Sequence, residues 1–149
     1  MSLIRNKKAT FNYEVLEKYE AGLSLRGFEV KAIRAGQGSL FGSFVKIKNH
    51  EAFLTGAYIP PYQPANTPDD YDPYRDRKLL LSKKELQTLI GKQKEKGLTL
   101  IPISLYNKSR YIKLEMALAR GKKKQDKRED IKRRDVEREI KREFKERLK

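Results

Sequence analysis

Tyr111-Ile-Lys-Leu-Glu-Met-Ala-Leu118 is the most regular stretch of the chain. Ile112, Leu114, Met116 and Leu118 alternate with Tyr111, Lys113, Glu115 and Ala117. A period of two predicts a strand with one face buried and one face presented to solvent. Just before it, Leu98 to Leu105 reads as another strand, with Pro102 at an edge or a bulge. Further back, Leu40 to Lys48 and Phe53 to Ile59 are two short β-rich runs joined by Asn49, His50 and Glu51, a hairpin loop. Gly36 and Gly38 mark a turn, and Leu23 to Ile33 reads as extended chain interrupted at Gly27.

Two helices are predicted among these strands. Asn12 is placed as the N-cap of one that runs through Val15, Leu16 and Tyr19 to Gly22. Ser82 and Glu85 form a capping-box pattern for the second, whose apolar face is Leu86, Leu89 and Ile90 and whose end is Gly97. Five of the six prolines fall between Pro60 and Pro73, beside Asp69, Asp70 and Asp72, in a long surface loop. The expected fold is mainly β with flanking helices: a small antiparallel β-barrel of OB type with five or six short strands.

The 149 residues fit one compact domain and an appendage. Residues 1–120 form the body, and a basic tail occupies 121–149. From Arg120 to Lys149 there are 15 basic and 8 acidic residues, with only Ile131, Val136, Ile140, Phe144 and Leu148 as large apolar side chains. That is too few to bury a core. Glu129 and Arg133, Asp130 and Arg134, Glu137 and Lys141, and Glu143 and Arg147 are acid-first pairs at i,i+4, each supporting a helix by about 0.2–0.5 kcal/mol. The apolar stripe is one residue wide, so the tail is expected to be disordered when free and helical against a partner.

A formal net charge of +15, from 35 basic and 20 acidic residues, points to a polyanionic partner: nucleic acid first, an anionic membrane surface second. The narrow stripe and interspersed acids of the tail argue against the membrane. No run approaches the ~18 apolar residues of a membrane span, and Met1 to Thr10 lacks the apolar core of a secretory signal, so a cytoplasmic protein is expected. There is no cysteine, and His50 is the single histidine, so no typical zinc site can form. Asp69, Asp70 and Asp72 lack the rest of an EF-hand. No phosphate loop, nucleophile elbow or dinucleotide fingerprint occurs, and no cofactor or small-molecule ligand is implied. An RNA-processing enzyme would need an acid–base pair or a metal cluster, and neither is evident, so the reading is a non-enzymatic binder.

Three segments carry a family resemblance. Asn6 to Gly36 (NKKATFNYEVLEKYEAGLSLRGFEVKAIRAG), Asp72 to Leu86 (DPYRDRKLLLSKKEL) and Ala119 to Asp135 (ARGKKKQDKREDIKRRD) resemble, in the same order, the opening, centre and tail of the small protein B family, the SsrA-binding proteins. The resemblance implies a six-stranded OB-like barrel and an adaptor of trans-translation. Such proteins bind the tRNA-like domain of transfer-messenger RNA (tmRNA) in place of its missing anticodon arm. With GTP-bound elongation factor Tu they deliver it to stalled ribosomes, and the nascent peptide is tagged for degradation. The tail enters the decoding site of the small subunit and the mRNA channel.

Lys31, Arg34, Arg77, Lys78 and Lys113 are candidate phosphate contacts, with solvated surface charge as the alternative. Glu20, expected in the last turn of the first helix, and Asn6 are assigned tmRNA contacts by the resemblance alone. Leu79 and Leu81 share one strand face and Leu80 takes the other. The alternative to burial of Leu80 under a helix or loop is the family's placement of it against RNA. Gly121, Lys122, Lys123, Gln125, Asp126, Lys127 and Arg128 match the segment that senses an empty decoding site. Many members carry His or Tyr at the position of Gln125, so the ring stacking of that segment is missing here. Phe28 and Ala32 also depart from the family's common Thr and Ser.

Overall fold

The computed structural model describes residues 2–95, 97–122, 131–134, 136–138 and 141–142. Seven strands form one antiparallel sheet: β1 (Ser2–Arg5), β2 (Tyr13–Leu23), β3 (Phe44–Lys48), β4 (Glu51–Thr55), β5 (Arg77–Leu80), β6 (Leu98–Lys108) and β7 (Tyr111–Gly121). Their order is β1-β6-β7-β2-β5-β4-β3. The sheet is not closed by hydrogen bonds, but it curls so that β3, at one edge, lies against β6. The result is barrel-like, around a core of Ile33, Leu54, Leu89, Leu100, Leu105, Leu114 and Met116. Three helices flank it: α1 (Ala9–Asn12), α2 (Gly27–Arg34) and α3 (Lys83–Gln93).

Ile112, Leu114, Met116 and Leu118 of β7 are buried as predicted, but Ala117, expected on the solvent face, is buried too, with Ala119, in a second small cluster on the other face. Pro102 sits at a break in the β6–β7 register, so its missing N–H falls on a bulge. In the β3–β4 hairpin, Asn49 and His50 both have positive φ, 52° and 59°, as a two-residue primed turn requires. Ser82 caps α3: its hydroxyl accepts from the Glu85 N–H at 3.2 Å, and the Glu85 carboxylate accepts from the Ser82 N–H at 3.3 Å.

β1 and α1 were not foreseen, and two further elements change type from the sequence reading. The expected helix from Asn12 to Gly22 is strand β2. A bulge between Val15 and Glu17 explains the helix-like spacing. Before it, Tyr13 and Val15 pack with Ala9, Ile101, Ala117 and Ala119 on one face of the sheet. After it, Tyr19, Ala21 and Leu23 turn to the main core on the other face. One extra residue thus reverses the alternation partway along the strand.

The stretch expected to be extended, Leu23 to Ile33, is instead largely helix α2. Its inner face is Ala32, Ile33 and the charged Glu29, which breaks the apolar period. Glu29 accepts from the Arg26 N–H at 2.8 Å, a capping contact. At the other end the N–H groups of Gly36 and Gln37 donate to the Ile33 and Ala32 carbonyls, with Gly36 at φ 75°, which closes the helix as a Schellman motif.

Glu29 and Arg77 are both 0% exposed. Arg77 Nε donates to Glu29 Oε2 at 2.9 Å, Nη1 to the Ala57 carbonyl at 2.7 Å, and Nη2 to the Tyr71 hydroxyl and the Pro73 carbonyl, each at 2.9 Å. Arg75 also donates to both Glu29 oxygens, and the Tyr71 hydroxyl donates to the Ile59 carbonyl at 2.8 Å. The proline-rich loop, with a single 3-10 turn at Pro64–Asn66, is thereby tied to α2 and β5.

Burial pushes the Glu29 carboxyl up, but hydrogen bonds from Arg75, the Arg26 N–H and Arg77 outweigh it and hold the carboxyl below its ordinary value. A depressed folded-state value adds stability that is present above the unfolded value of 4.5 and lost as pH falls through the folded one. Denaturant unfolding of Glu29→Ala should show a loss of about 3–5 kcal/mol, the cost of leaving Arg77 buried without its anion. Glu29→Gln should lose stability less steeply than the parent chain as the solution is taken below pH 4.5.

Candidate nucleic-acid interface

The outer face of the sheet brings two of the candidate residues, Leu80 and Lys113, into one row. Leu80 of β5 lies opposite Gly22 of β2, Gly22 opposite Lys113 of β7, and Lys113 opposite Tyr106 of β6. Strand alternation places them there. Arg77 and Leu79 point inward on β5, so Lys78 and Leu80 must point outward. Leu80 is 55% exposed, which settles its two readings in favour of the surface.

Gly22 makes the row into a cleft. A Cβ on Gly22 would meet the Leu80 Cβ at 3.2 Å and the Lys113 Nζ at 3.6 Å, so its absence leaves a floor between those two side chains. The cleft has a volume of about 330 Å³. Leu23, Leu25 and Val30 supply apolar wall, and Arg110, Tyr111 and Lys113 supply donors and a ring. Tyr111 is 69% exposed although it belongs to a regular strand. An exposed ring and leucine beside cations suit an unstacked base and its phosphate.

Glu20 is on β2, not in the last turn of a helix as expected, so no helix dipole acts on its carboxylate. It lies on the same face as Gly22, two residues away. Tyr106 donates its hydroxyl to Glu20 Oε2, and Lys108 Nζ donates to Oε1 at 3.0 Å. These two hydrogen bonds hold the Glu20 carboxyl below the usual carboxylate range. Burial pushes the Tyr106 phenol up, and its bond to Glu20 adds to the rise, so it remains a donor across the ordinary pH range.

The other candidates divide. Arg34, in the last turn of α2, donates from Nη2 to the Arg110 carbonyl at 2.9 Å and braces the β6–β7 turn beside the cleft. Lys31 is exposed one turn earlier on the same helix. Lys78 is exposed on the outer face and pairs with Glu51 at 3.3 Å. Arg77 is the correction: its guanidinium is enclosed by Glu29, Tyr71 and two carbonyls, so it serves the fold and presents no donor to a phosphate. Asn6 lies apart from the cleft, where its Nδ2 donates to the Pro102 carbonyl at 2.9 Å and so pins β1 at the bulge.

Gly121 ends β7, and the Lys122 N–H donates to the Asn12 carbonyl at 3.0 Å. Lys123, Gln125, Asp126, Lys127 and Arg128 lie outside the described residues. The described tail residues 131–134, 136–138 and 141–142 are helical. Sequence reasoning missed Tyr106, Lys108, Arg110, Tyr111 and Gly22. The clue was available for the first two: Tyr106 and Lys108 alternate with buried Leu105 on a strand whose partner carries Lys113.

Among the described residues no helix is long and apolar enough to cross a membrane, and no group of three metal-ligating side chains occurs. Fold and face together define a small barrel-like β protein with an outer surface suited to a structured polyanion. Comparison with known proteins makes this specific. The family model described as SmpB protein matches residues 3–146, and the chain belongs to that family. A relative from Persephonella marina, named SsrA-binding protein, is 52% identical over 97% of this chain and 94% of its own length. Another with that name, from Geobacillus kaustophilus, is 50% identical over 99% and 94%. A solved structure described as "tmRNA-SmpB: a journey to the center of the bacterial ribosome" matches with a TM-score of 0.67 and 47% identity, covering 80% of this chain and 84% of that one.

The two faces of β5 give a direct check. Leu79→Ala should lower unfolding stability by about 2–5 kcal/mol, as for a buried leucine. Leu80→Ala should change it by no more than about 0.5 kcal/mol.

Proposed function

We propose that this protein is the tmRNA-binding adaptor of trans-translation. The observation that carries the reading is the cleft formed by Gly22, Leu80, Tyr111 and Lys113 on the outer face of a sheet whose relatives are named SsrA-binding proteins. Leu80 and Tyr111 offer contacts to sugar and base, while Lys113, Arg110 and the nearby Lys31 offer charge to phosphates. Base contacts specify and phosphate contacts position. The body, residues 1–120, holds the tRNA-like domain, and Asn6, Glu20, Lys31, Arg34, Lys78, Leu80 and Lys113 are the residues assigned to that hold. Asn6 and Arg34 act through their struts on β1 and the β6–β7 turn.

The tail, from residue 121 on, acts elsewhere. Gly121, Lys122, Lys123, Gln125, Asp126, Lys127 and Arg128 are assigned to the decoding site, and the following helix to the mRNA channel. Elongation factor Tu with GTP joins through tmRNA, and the work is done in the cytoplasm without covalent chemistry by this chain. Support for the ribosomal setting is the similar structure, whose description couples tmRNA, SmpB and the bacterial ribosome.

A gel shift with the tRNA-like domain, ordinary tRNA as competitor, tests the first half: selective binding at physiological salt is expected, and equal binding of any polyanion overturns it. Lys113→Ala should weaken binding and make the slope of log affinity against log salt shallower by about one. Truncation after Gly121 should leave RNA binding nearly intact and abolish peptide tagging on stalled ribosomes. Equal loss of both would overturn the division between body and tail.

A further inference from the structure

We propose that the ring of Phe11 seats the first turn of the tail helix through Arg134. In the free protein the tail is thereby folded back on the body, and it must leave this seat before it can extend into a partner. Phe11 precedes β2, at the end of that strand opposite Gly22, so the seat is separate from the cleft and independent of what the cleft holds.

The path of the chain carries the proposal. Gly121 ends β7 opposite Tyr13, and the Lys122 N–H donates to the Asn12 carbonyl at 3.0 Å, so the tail leaves the sheet beside α1. The chain between Lys122 and Arg134, fully extended, can span roughly 40 Å. Instead the guanidinium carbon of Arg134 stands 5.7 Å from the centroid of the Phe11 ring, one residue from Asn12. The tail departs from α1 and returns to α1.

A cation over a ring suits this tail better than apolar packing does. Residues 131–134 are helical, yet Ile131 and Val136 stay 46% and 55% exposed, so the narrow apolar stripe is not what holds them. A guanidinium within about 6 Å of a ring centroid is attracted to the negative face of the ring. The first turn is the costly one to form in any helix. Fixing one of its side chains on a ring that the body already holds lowers that cost. α1 is held firmly enough to serve: Ala9 is buried in the second cluster, and Lys8 Nζ lies 5.9 Å from the centroid of the Phe41 ring. Phe11 itself is half-buried, anchored but accessible.

The same chemistry supplies the release. An aromatic ring and a guanidinium plane are both groups on which an unpaired RNA base stacks. A base that takes either one displaces the other, so single-stranded RNA competes with the latch and opens it. Exposed cation–π contacts are weak, so this one restrains the tail without locking it.

The chain has no cysteine, so a nitroxide on Lys7→Cys, an exposed position on the approach to α1, marks the seat alone. In the full-length protein the amide signals of Lys132, Arg133 and Arg134 should be broadened by the label. Arg134→Gln and Phe11→Leu should each lower the ratio of latched to open tail about two- to fivefold, and the two together no further than either alone. A short oligouridine should relieve the broadening in the parent. Arg134 belongs to the tail, so its substitution decides the matter even where Phe11→Leu lowers the thermal midpoint. A parent without broadening, or full broadening in either variant, would overturn the latch. Additive losses in the double variant would overturn the pairing of the two residues, and broadening that survives saturating oligouridine would overturn release by RNA.

Discussion

A glutamate with no solvent exposure, shared between Arg77 and Arg75, ties the outer surface to the core. Charges withdrawn from water are costly unless nearly every donor and acceptor is satisfied. Here Arg77 is satisfied by Glu29, Ala57, Tyr71 and Pro73, and Glu29 by Arg26, Arg75 and Arg77. Those partners come from α2, β5 and the proline-rich loop, so the network fixes three separate segments at once. With Arg77 turned inward, β5 must turn Lys78 and Leu80 outward. With Glu29 turned inward, α2 must present Lys31 and Arg34 to the outside, the latter reaching the β6–β7 turn. The proposed binding face is thus a consequence of how the buried ion pair is oriented.

Some of this was legible in the residues and some was not, for physical reasons. β7 was plain because its large apolar residues alternate without a break from Ile112 to Leu118 and its partners lie on both sides. The capping box at Ser82 and Glu85 was plain because it is local chemistry. β2 was hidden because its bulge changes which residues face the core, so Val15, Leu16 and Tyr19 imitate a helical face. α2 was hidden because a charged residue occupies its buried stripe, and only the tertiary partners of Glu29 make that tolerable. Arg77 was misread for the same cause: an arginine is usually solvated, and nothing local signals a buried carboxylate 48 residues away. Leu80 was half legible. Alternation separated it from Leu79 and Leu81, but the side that faces solvent depends on the inward turn of Arg77.

The site itself was readable as a list of residues before it was readable as a place. Glu20, expected at the end of a helix, stands on strand β2. Moving it from a helix end to a strand changes its electrostatics: the helix dipole drops out, and Tyr106 and Lys108 take its place as the local field. Contrary to the sequence reading, Gly22 does not terminate a helix. It is instead the missing side chain that opens the cleft between Leu80 and Lys113.

A surface made only of lysine and arginine would hold any RNA, since phosphate contacts carry little sequence information. This face is more restrictive. Its cations are few and spaced by an exposed leucine, an exposed tyrosine ring and a fixed carboxylate. Each of these gains from one geometry and loses in others: the ring needs an unstacked base, the leucine needs a sugar or base edge, and the carboxylate needs a donor where a phosphate would be repelled. On the proposed reading, selectivity comes from groups that penalise wrong ligands as much as from groups that attract the right one. Fifteen of the 35 basic residues fall in the last 30, where charge can add affinity without altering the discriminating groups on the sheet.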